Sequence, residues 1–259
     1  MSVCVTDDGC RLAYALSGPA GAPGLVLSHS LGTDRGLWAA QVESLSAGRR
    51  VLRYDTRGHG ASDAPDGGYT VDRLGRDVLA LMNHAGLDTA DVCGVSIGGV
   101  TALWLGVHAA TRVRRLVLAN TAATIGTAAF WDDRIRTVTD GGVAAVADAT
   151  MARWFTPGFR DAHADVVAAL RATLLATPVA GYLGCCTALR DADLQGDAAK
   201  VAAPTLVVTG CHDVATPPAA GEWLAATIPG ARLVAFDAAH LANVECAAAF
   251  TAAVDQFLS

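Results

Sequence analysis

The sequence predicts a doubly wound α/β fold: a mostly parallel, twisted sheet of about eight strands, with helices on both faces and a helical lid. Over residues 1–120 and 201–259, short apolar runs alternate with segments of helical pattern, which favours a layered α/β sheet. Runs such as LVLSH, RLVLAN and PTLVVTG are continuously apolar, as is typical of strands buried on both faces of a parallel sheet. Residues 121–200 contain no such run, and this gap predicts the lid.

The first two predicted strands are expected to form an antiparallel hairpin at one edge of the sheet. They cover residues 3–6 and 12–17, and the Asp-Asp-Gly-Cys sequence between them is typical of a turn. The six remaining strands are predicted at residues 25–29, 51–55, 91–95, 113–120, 205–210 and 232–237. Helices of the core are predicted at residues 71–85, 97–109, 219–227 and 247–257.

The middle of the chain is predicted to be helical throughout. Helical stretches are expected at residues 143–155, 161–176 and 182–189, and Pro157 and Pro178 separate them. We therefore predict an α/β core formed by residues 1–120 and 201–259, with residues 121–200 inserted as a lid. The lid is expected to cover the carboxyl edge of the sheet, where open α/β sheets bind their ligands.

Composition excludes several classes of protein. Of the 259 residues, 52% are apolar and 17% are charged, a balance that excludes intrinsic disorder. The net charge of −6 and the lack of a basic block argue against a nucleic-acid partner. The N-terminus has no pattern of a secretory signal, and seven cysteines without a CxxC pair favour reduced thiols over a disulfide scaffold or a zinc site. We expect a cytoplasmic protein that needs no metal, cofactor or membrane partner; the Gly58-His59-Gly60 turn lacks the third glycine of a dinucleotide-binding loop.

A nucleophilic serine is predicted between a buried strand and an apolar helix. The segment Gly94-Val95-Ser96-Ile97-Gly98 matches the G-x-S-x-G pattern, in which a sharp strand-to-helix turn projects the serine hydroxyl above the sheet. Larger side chains two residues before and after the serine would collide, so glycine occupies both positions. Ser96 is therefore the candidate nucleophile.

The serine needs a base and an acid that orients it, and both are expected at the same edge of the sheet. His240 lies in the loop after the last predicted strand, whereas His163 falls in a predicted lid helix. Asp213 follows the strand at residues 205–210, and Asn120 stands at the alternative position after the preceding strand. The order serine, acid, histidine then gives Ser96, Asp213 and His240 as the predicted catalytic residues. The oxyanion would be bound by the backbone N–H groups of Leu31, in the loop after the third strand, and Ile97.

Several longer strings resemble a known family. GVSIGGVTALWLG, RYDTRGHGASDAP, RRLVLANTA, AGYLGCCTALRDADL and APTLVVTGCHDVATPP are similar to sequences of the 3-oxoadipate enol-lactonases of the β-ketoadipate pathway, within the α/β-hydrolase superfamily. The resemblance covers the whole chain. It implies an α/β-hydrolase fold and a cytosolic serine hydrolase that opens 3-oxoadipate enol-lactone through an acyl-enzyme. The small-molecule partner would be a lactone that bears a carboxylate.

A carboxylate substrate calls for a cation near the nucleophile. The lid offers Arg134, Arg153 and Arg190 for this role, and Trp131 and Trp154 as apolar walls. Other substrates remain compatible with the same three catalytic residues, so the alternatives are a carboxylesterase, a C–C bond hydrolase of ring-cleavage products and a perhydrolase. A non-enzymatic ligand receptor that kept the fold is a further alternative. No oligomeric state is predicted.

Overall fold

The computed structural model describes residues 2–259 and contains one eight-stranded sheet. Its spatial order is β1-β2-β4-β3-β5-β6-β7-β8. The pairs β1–β2 and β2–β4 are antiparallel, and all other neighbours are parallel. The predicted α/β class and the hairpin at the sheet edge are thus confirmed. The strands are β1 (Ser2–Val5), β2 (Arg11–Ser17), β3 (Gly24–Ser28), β4 (Arg50–Tyr54), β5 (Ala90–Val95), β6 (Val113–Ala119), β7 (Thr205–Gly210) and β8 (Arg232–Phe236).

Helices cover both faces of this sheet. They are α1 (Ala39–Ser46), α2 (Val71–His84), α3 (Ile97–His108), α4 (Ala128–Gly141), α5 (Ala147–Trp154), α6 (Pro157–Ala162), α7 (Ala164–Ala176), α8 (Val179–Asp191), α9 (Pro218–Thr227), α10 (Ala242–Glu245) and α11 (Ala247–Leu258). Helices α2 and α3 pack together on one face, and α1 and α11 pack together against the rest of the sheet. The chain moves from β3 to β4 in one direction along the sheet and from β5 to β6 in the other. Because both crossovers are right-handed, their connecting helices lie on opposite faces of the sheet.

The change of direction creates a crevice between β3 and β5. Open α/β sheets bind ligands at such a switch point, outside the carboxyl ends of the strands. Strand β5 is buried along its whole length, and helix α3 is buried from Ile97 to Gly106. The loops that follow β3 and β5 are therefore held by fully buried strands.

Only helices connect β6 to β7 in the described part of the chain, and we call residues 121–200 the lid segment. The sequence prediction missed α4 here, although Thr127 caps its N-terminus and Trp131, Ile135 and Val138 recur at helical spacing along it. It also missed α1 in the core. The predicted helix 161–176 is in fact two helices that meet at His163, and the predicted helix 143–155 begins as a 3-10 turn. The division of the chain into a core and a lid remains a prediction.

The lid segment is joined to the core through helix α8. The backbone of Gly181 in α8 crosses that of Gly58 so closely that a Cβ added to Gly181 would stand 2.2 Å from the Gly58 Cα. The amide of Tyr69 donates to the carbonyl of Gly184, one turn further along α8, at 3.0 Å. Because the crossing is backbone on backbone, α8 has a fixed position over the turn that follows β4.

Within residues 2–259, no single helix has the length and apolar character needed to cross a membrane. One bent pair, Ala164–Ala176 with Val179–Asp191, meets these criteria only when its two helices are taken together.

Candidate active site

Ser96 stands at a strained turn between β5 and α3. Its φ of +58° lies in the left-handed region that residues other than glycine rarely adopt. A Cβ on Gly94 would come within 2.0 Å of the Gly98 carbonyl oxygen, so the chain can fold back here only with glycine at that position. The amide of Ser96 donates to Ala119 at 3.1 Å, and the Thr121 hydroxyl donates to the Ser96 carbonyl at 2.8 Å. These bonds attach the strained turn to the end of the neighbouring strand β6.

Asp213 and His240 are joined after strands β7 and β8. The Nδ1 atom of His240 lies 2.8 Å from Oδ2 of Asp213, and both side chains are almost wholly buried. Asp213 also accepts the amides of Ala215 at 2.8 Å and Thr216 at 2.9 Å, together with the Thr216 hydroxyl at 2.6 Å. Burial alone would raise the pKa of Asp213, but the charge and hydrogen bond of His240 and the bonds from Thr216 lower it to about 2. A charged Asp213 holds the proton of His240 on Nδ1 and leaves Nε2 free to accept one.

Asn120 ties the acid to the histidine loop. Its Nδ2 group donates to Oδ2 of Asp213 at 3.0 Å and to the carbonyl of Ala239 at 3.1 Å. Asn120 adopts a φ of +44°, which aims the amide across the ends of β7 and β8. The sequence offers position 120 only as an alternative site for the acid, and it carries no signal for these supporting contacts.

Two backbone amides are available to an oxyanion. Ile97 is the first residue of α3, where an N–H group has no acceptor within the helix. The amide of Leu31 has no hydrogen-bond partner among residues 2–259, and Leu31 lines the same cavity as Ser96. Both candidate donors predicted from the sequence thus lie beside the candidate nucleophile.

A cavity of about 270 Å³ connects the serine, the histidine and the lid segment. Its floor includes Ser30, Leu31, Ser96 and His240. Its walls come mainly from α4, α5 and α8, and include Phe130, Trp131, Arg134, Arg153, Trp154 and Tyr182. The volume is near the lower limit for small-molecule sites, so it fits a small substrate.

Comparison with known proteins agrees with this geometry. A family model for the alpha/beta hydrolase fold matches residues 23–246. 3-Oxoadipate enol-lactonase 2 of Acinetobacter baylyi is 39% identical over 251 residues, which are 97% of this chain and 94% of that protein. The chain belongs to the α/β-hydrolase family. The hydrolase fold predicted from the sequence is thereby confirmed.

Solved structures of α/β hydrolases are closely similar. The crystal structure of the enol-lactonase from Burkholderia xenovorans LB400 superposes with a TM-score of 0.98 and 44% identity, covering 99% of both chains. A thermophilic esterase from Thermogutta terrifontis superposes with a TM-score of 0.93 and 28% identity, covering 99% of this chain and 97% of that one. The whole chain, including the lid segment, therefore follows the path of these relatives.

Two arginines give the cavity of this α/β hydrolase a positive wall. Arg134 donates to the Tyr182 hydroxyl and, at 2.7 Å, to the Thr150 hydroxyl, while the Arg153 guanidinium lies 4.9 Å from the centre of the Phe130 ring. Neither arginine pairs with a carboxylate in the described part of the chain. Burial, with a smaller contribution from Arg134, lowers the pKa of Arg153. The cavity wall therefore holds two half-buried cations that have no carboxylate partner among residues 2–259.

Arg190, the third arginine predicted for this role, lies elsewhere. It pairs with Asp132 at 3.2 Å and with Asp191 at 2.8 Å, and it does not line the cavity. The adjacent residue, Leu189, points into the cavity instead, because successive residues of a helix face different directions. His212, next to Asp213, also points away and pairs with Asp237 at 2.6 Å.

Two buried histidines brace the loop that carries Leu31. The amide of Gly32 donates to Nε2 of His59 at 2.9 Å, and the amide of Thr56 donates to Nε2 of His29 at 2.9 Å. Burial lowers the pKa of both imidazoles, that of His59 to about 3, which keeps Nε2 free as an acceptor. Neither bond is among the contacts predicted from the sequence. They fix the position of the Leu31 amide relative to the sheet.

Proposed function

We propose that this α/β hydrolase cleaves the lactone ester of 3-oxoadipate enol-lactone to give 3-oxoadipate through an acyl-enzyme. The observation that carries the proposal is a small cavity with Ser96 and His240 at its floor and two uncompensated arginines in its wall. The substrate is a five-membered lactone with a carboxymethyl arm, so it has one carbonyl for the serine and one carboxylate for the cations. The enol-lactonase relatives, similar over nearly the full chain, support the same substrate.

Ring opening begins at Ser96. His240 Nε2 takes the proton from the Ser96 hydroxyl as Oγ attacks the lactone carbonyl carbon, and Asp213 stabilises the resulting imidazolium. The oxyanion is bound by the amides of Leu31 and Ile97. When the tetrahedral intermediate collapses, the ring C–O bond breaks and the ring oxygen leaves as an enolate. This group is a better leaving group than an alkoxide, so protonation by His240 matters less here than in hydrolysis of a simple ester.

Deacylation releases the product. The imidazolium of His240 gives its proton to the enolate, which becomes the ketone of the acyl chain, and His240 is then neutral again. A water molecule, deprotonated by His240, then attacks the acyl carbonyl carbon, and Ser96 leaves with the proton returned by His240. The product carries two carboxylates and a ketone, and no cofactor enters any step.

The cavity wall binds the carboxymethyl arm. The carboxylate lies against Arg134 and Arg153, and the lactone ring lies against the apolar faces of Trp131 and Trp154, both of which are buried and line the cavity. Arg134 is held in place by Tyr182 and Thr150, so little side-chain freedom is lost when the anion binds. The partner is thus a small anionic lactone rather than a nucleic acid or a membrane. We also propose that the reaction is cytoplasmic, since all seven cysteines are free.

The direct test is an ultraviolet assay of enol-lactone disappearance with the purified chain. The comparison substrates are neutral p-nitrophenyl esters and a ring-cleavage product that would need C–C bond hydrolysis. We expect the enol-lactone to have the highest kcat/KM. A higher value for the neutral esters would favour a carboxylesterase. Failure of a fluorophosphonate to label Ser96 would contradict the serine mechanism and favour a ligand receptor.

A further inference from the structure

Glu245 connects the histidine loop to the lid segment. It is the last residue of the short helix α10, which begins two residues after His240. Its Oε2 atom accepts the amide of Ala239 at 2.5 Å, and its Oε1 atom accepts the amide of Thr156 at 2.5 Å. Ala239 directly precedes His240, and Thr156 is the residue that caps helix α6 of the lid segment. One carboxylate therefore bonds simultaneously to the backbones of two separate functional elements.

A second bond joins the same two stretches of chain. The amide of Leu241, directly after His240, donates to the carbonyl of Trp154 at 3.1 Å. The carbonyl of Ala239 accepts from Asn120. Both residues adjoining His240 are thus held by hydrogen bonds. One bond from each leads to residues 154–156, directly from Leu241 and through the Glu245 carboxylate from Ala239. Since the Trp154 side chain lines the cavity, a shift of this part of the lid would move the backbone that carries the base.

Only a carboxylate satisfies both amides at position 245. Each oxygen of the carboxylate accepts one N–H group, whereas a glutamine presents one oxygen and one NH₂ group. In Glu245→Gln, either Ala239 or Thr156 would face a donor, and that amide would lose its acceptor. The chemistry of the site therefore requires two acceptors and no donor, which is more specific than a general requirement for polarity.

We propose that Glu245 is a positioning residue that couples the lid segment to His240, so that the base is correctly placed only when the lid is seated on the core. The proposal rests on the proposed serine-hydrolase function. Glu245 does not line the cavity and touches no reacting atom. Its effect is expected on the chemical steps that His240 performs rather than on substrate binding.

The test compares Glu245→Gln, Glu245→Asp and Glu245→Ala with the wild-type chain. Two quantities are measured: kcat and KM for the enol-lactone, and the second-order rate at which a small fluorophosphonate labels Ser96. We expect kcat and the labelling rate of Glu245→Gln to fall together by about ten- to hundredfold, since displacing a catalytic group by about 1 Å has effects of this size. KM should change much less. Aspartate keeps both acceptors on a shorter arm, so Glu245→Asp should retain more activity than Glu245→Gln.

Glu222→Gln is the matched control, because Glu222 is an exposed glutamate in helix α9. It should leave both rates unchanged. The thermal midpoint of every variant is measured in parallel, and if Glu245→Ala fails to fold, the glutamine and aspartate variants decide the outcome. Folded Glu245→Gln with wild-type kcat and labelling rate would overturn the coupling, even if its thermal midpoint fell. A wild-type chain that neither labels nor opens the lactone would instead overturn the proposed function.

Discussion

Asp213 is the most strongly bonded side chain of the site. Three different partners donate to its Oδ2 atom, namely His240, Asn120 and the Thr216 hydroxyl, while Oδ1 receives two backbone amides. These bonds do two things at once: they keep the carboxylate charged and they fix its direction toward Nδ1 of His240. A residue that binds so many donors cannot rotate away from the base, so the tautomer of His240 is determined by the surrounding structure.

Substitutions of Ser96 and Asp213 should separate the role of the nucleophile from that of the acid. We expect Ser96→Ala to lower kcat by about 10⁶-fold, and Asp213→Asn by about 10⁴-fold, because the acid orients the base but forms no bond to the substrate. Single-turnover measurements with enol-lactone check both values, and circular dichroism checks that each variant folds. Near-wild-type turnover by Ser96→Ala would show that another residue is the nucleophile.

Arg134 is predicted to act on binding rather than on chemistry. In Arg134→Met the substrate carboxylate loses a charge-assisted hydrogen bond, and KM for the enol-lactone should rise about ten- to hundredfold while kcat falls less. The matched control is Arg190→Met, because Arg190 lies outside the cavity and pairs with Asp132 and Asp191. KM for a neutral p-nitrophenyl ester should be the same in both variants. An equal loss with the neutral ester would mean that the substitution disturbs the cavity rather than an anion site.

The candidate site residues that the sequence predicts are those whose positions follow from strand ends. Ser96, Asp213 and His240 each follow a recognisable buried strand, and parallel strands bring such residues to one edge of the sheet. Thr216 could also have been found, because Asp-x-x-Thr is a spacing at which an aspartate side chain accepts later backbone amides. The bond between Arg134 and Tyr182 could not have been predicted from the sequence, because it depends on how α4 and α8 cross.

Among the elements, buried strands were predicted to within a residue or two, but helices were less regular. Strand β7 has the predicted bounds because every one of its residues is apolar or small and buried. Helix α1 was missed because its first turn has no capping side chain and a weakly amphipathic sequence. The break between α6 and α7 at His163 was missed because the sequence across it, Arg-Asp-Ala-His-Ala-Asp, contains neither proline nor glycine and so has no local signal for a break.

The crossing of α8 over the turn after β4 gives a prediction at the scale of elements. In Gly181→Ala, the new Cβ would stand 2.2 Å from the Gly58 backbone, and neither backbone can rotate away. We expect a loss of about 1–3 kcal/mol in the free energy of unfolding, as for other overpacked positions. KM should rise as well, because α8 carries Tyr182, which holds Arg134.

The control for this prediction is Gly158→Ala in helix α6. A Cβ there meets no atom within 4 Å, so this variant should be neutral or slightly more stable. Urea unfolding measures both variants. If Gly181→Ala were as stable as Gly158→Ala, then α8 would not be fixed against the turn, and the lid segment would be joined to the core less tightly than the crossing indicates.

At the scale of the whole molecule, the site combines parts from the entire length of the chain. The loop after β3 supplies Leu31, the turn after β5 supplies Ser96, and the loops after β7 and β8 supply Asp213 and His240. All of them lie at the carboxyl edge, around the switch point between β3 and β5. The buried turn after β4 contributes no group to the substrate. Instead it carries His59, whose buried imidazole supports the loop that carries Leu31.

That imidazole makes the stability of the fold sensitive to acid. Burial first, and the charge of His29 second, lower the pKa of His59 from its ordinary value of 6.5 to about 3. Between these values the unfolded chain binds a proton that the folded chain does not, so His59 lowers stability as the pH falls from about 6.5 toward 3 and has no effect above that window. In His59→Gln the side-chain oxygen can still accept the Gly32 amide, but nothing titrates. The free energy of unfolding of His59→Gln should therefore rise relative to that of the wild type, by up to about 1.4 kcal/mol for each pH unit below 6.5.

Urea unfolding at pH 7.5, 6 and 5 measures this slope, with His84→Gln as a control that removes an exposed imidazole. Parallel pH profiles for His59→Gln and the wild type would mean that His59 takes up a proton as readily in the folded chain as in the unfolded chain. The bond from Gly32 to its Nε2 atom could then not support the loop that carries Leu31 below pH 6.5.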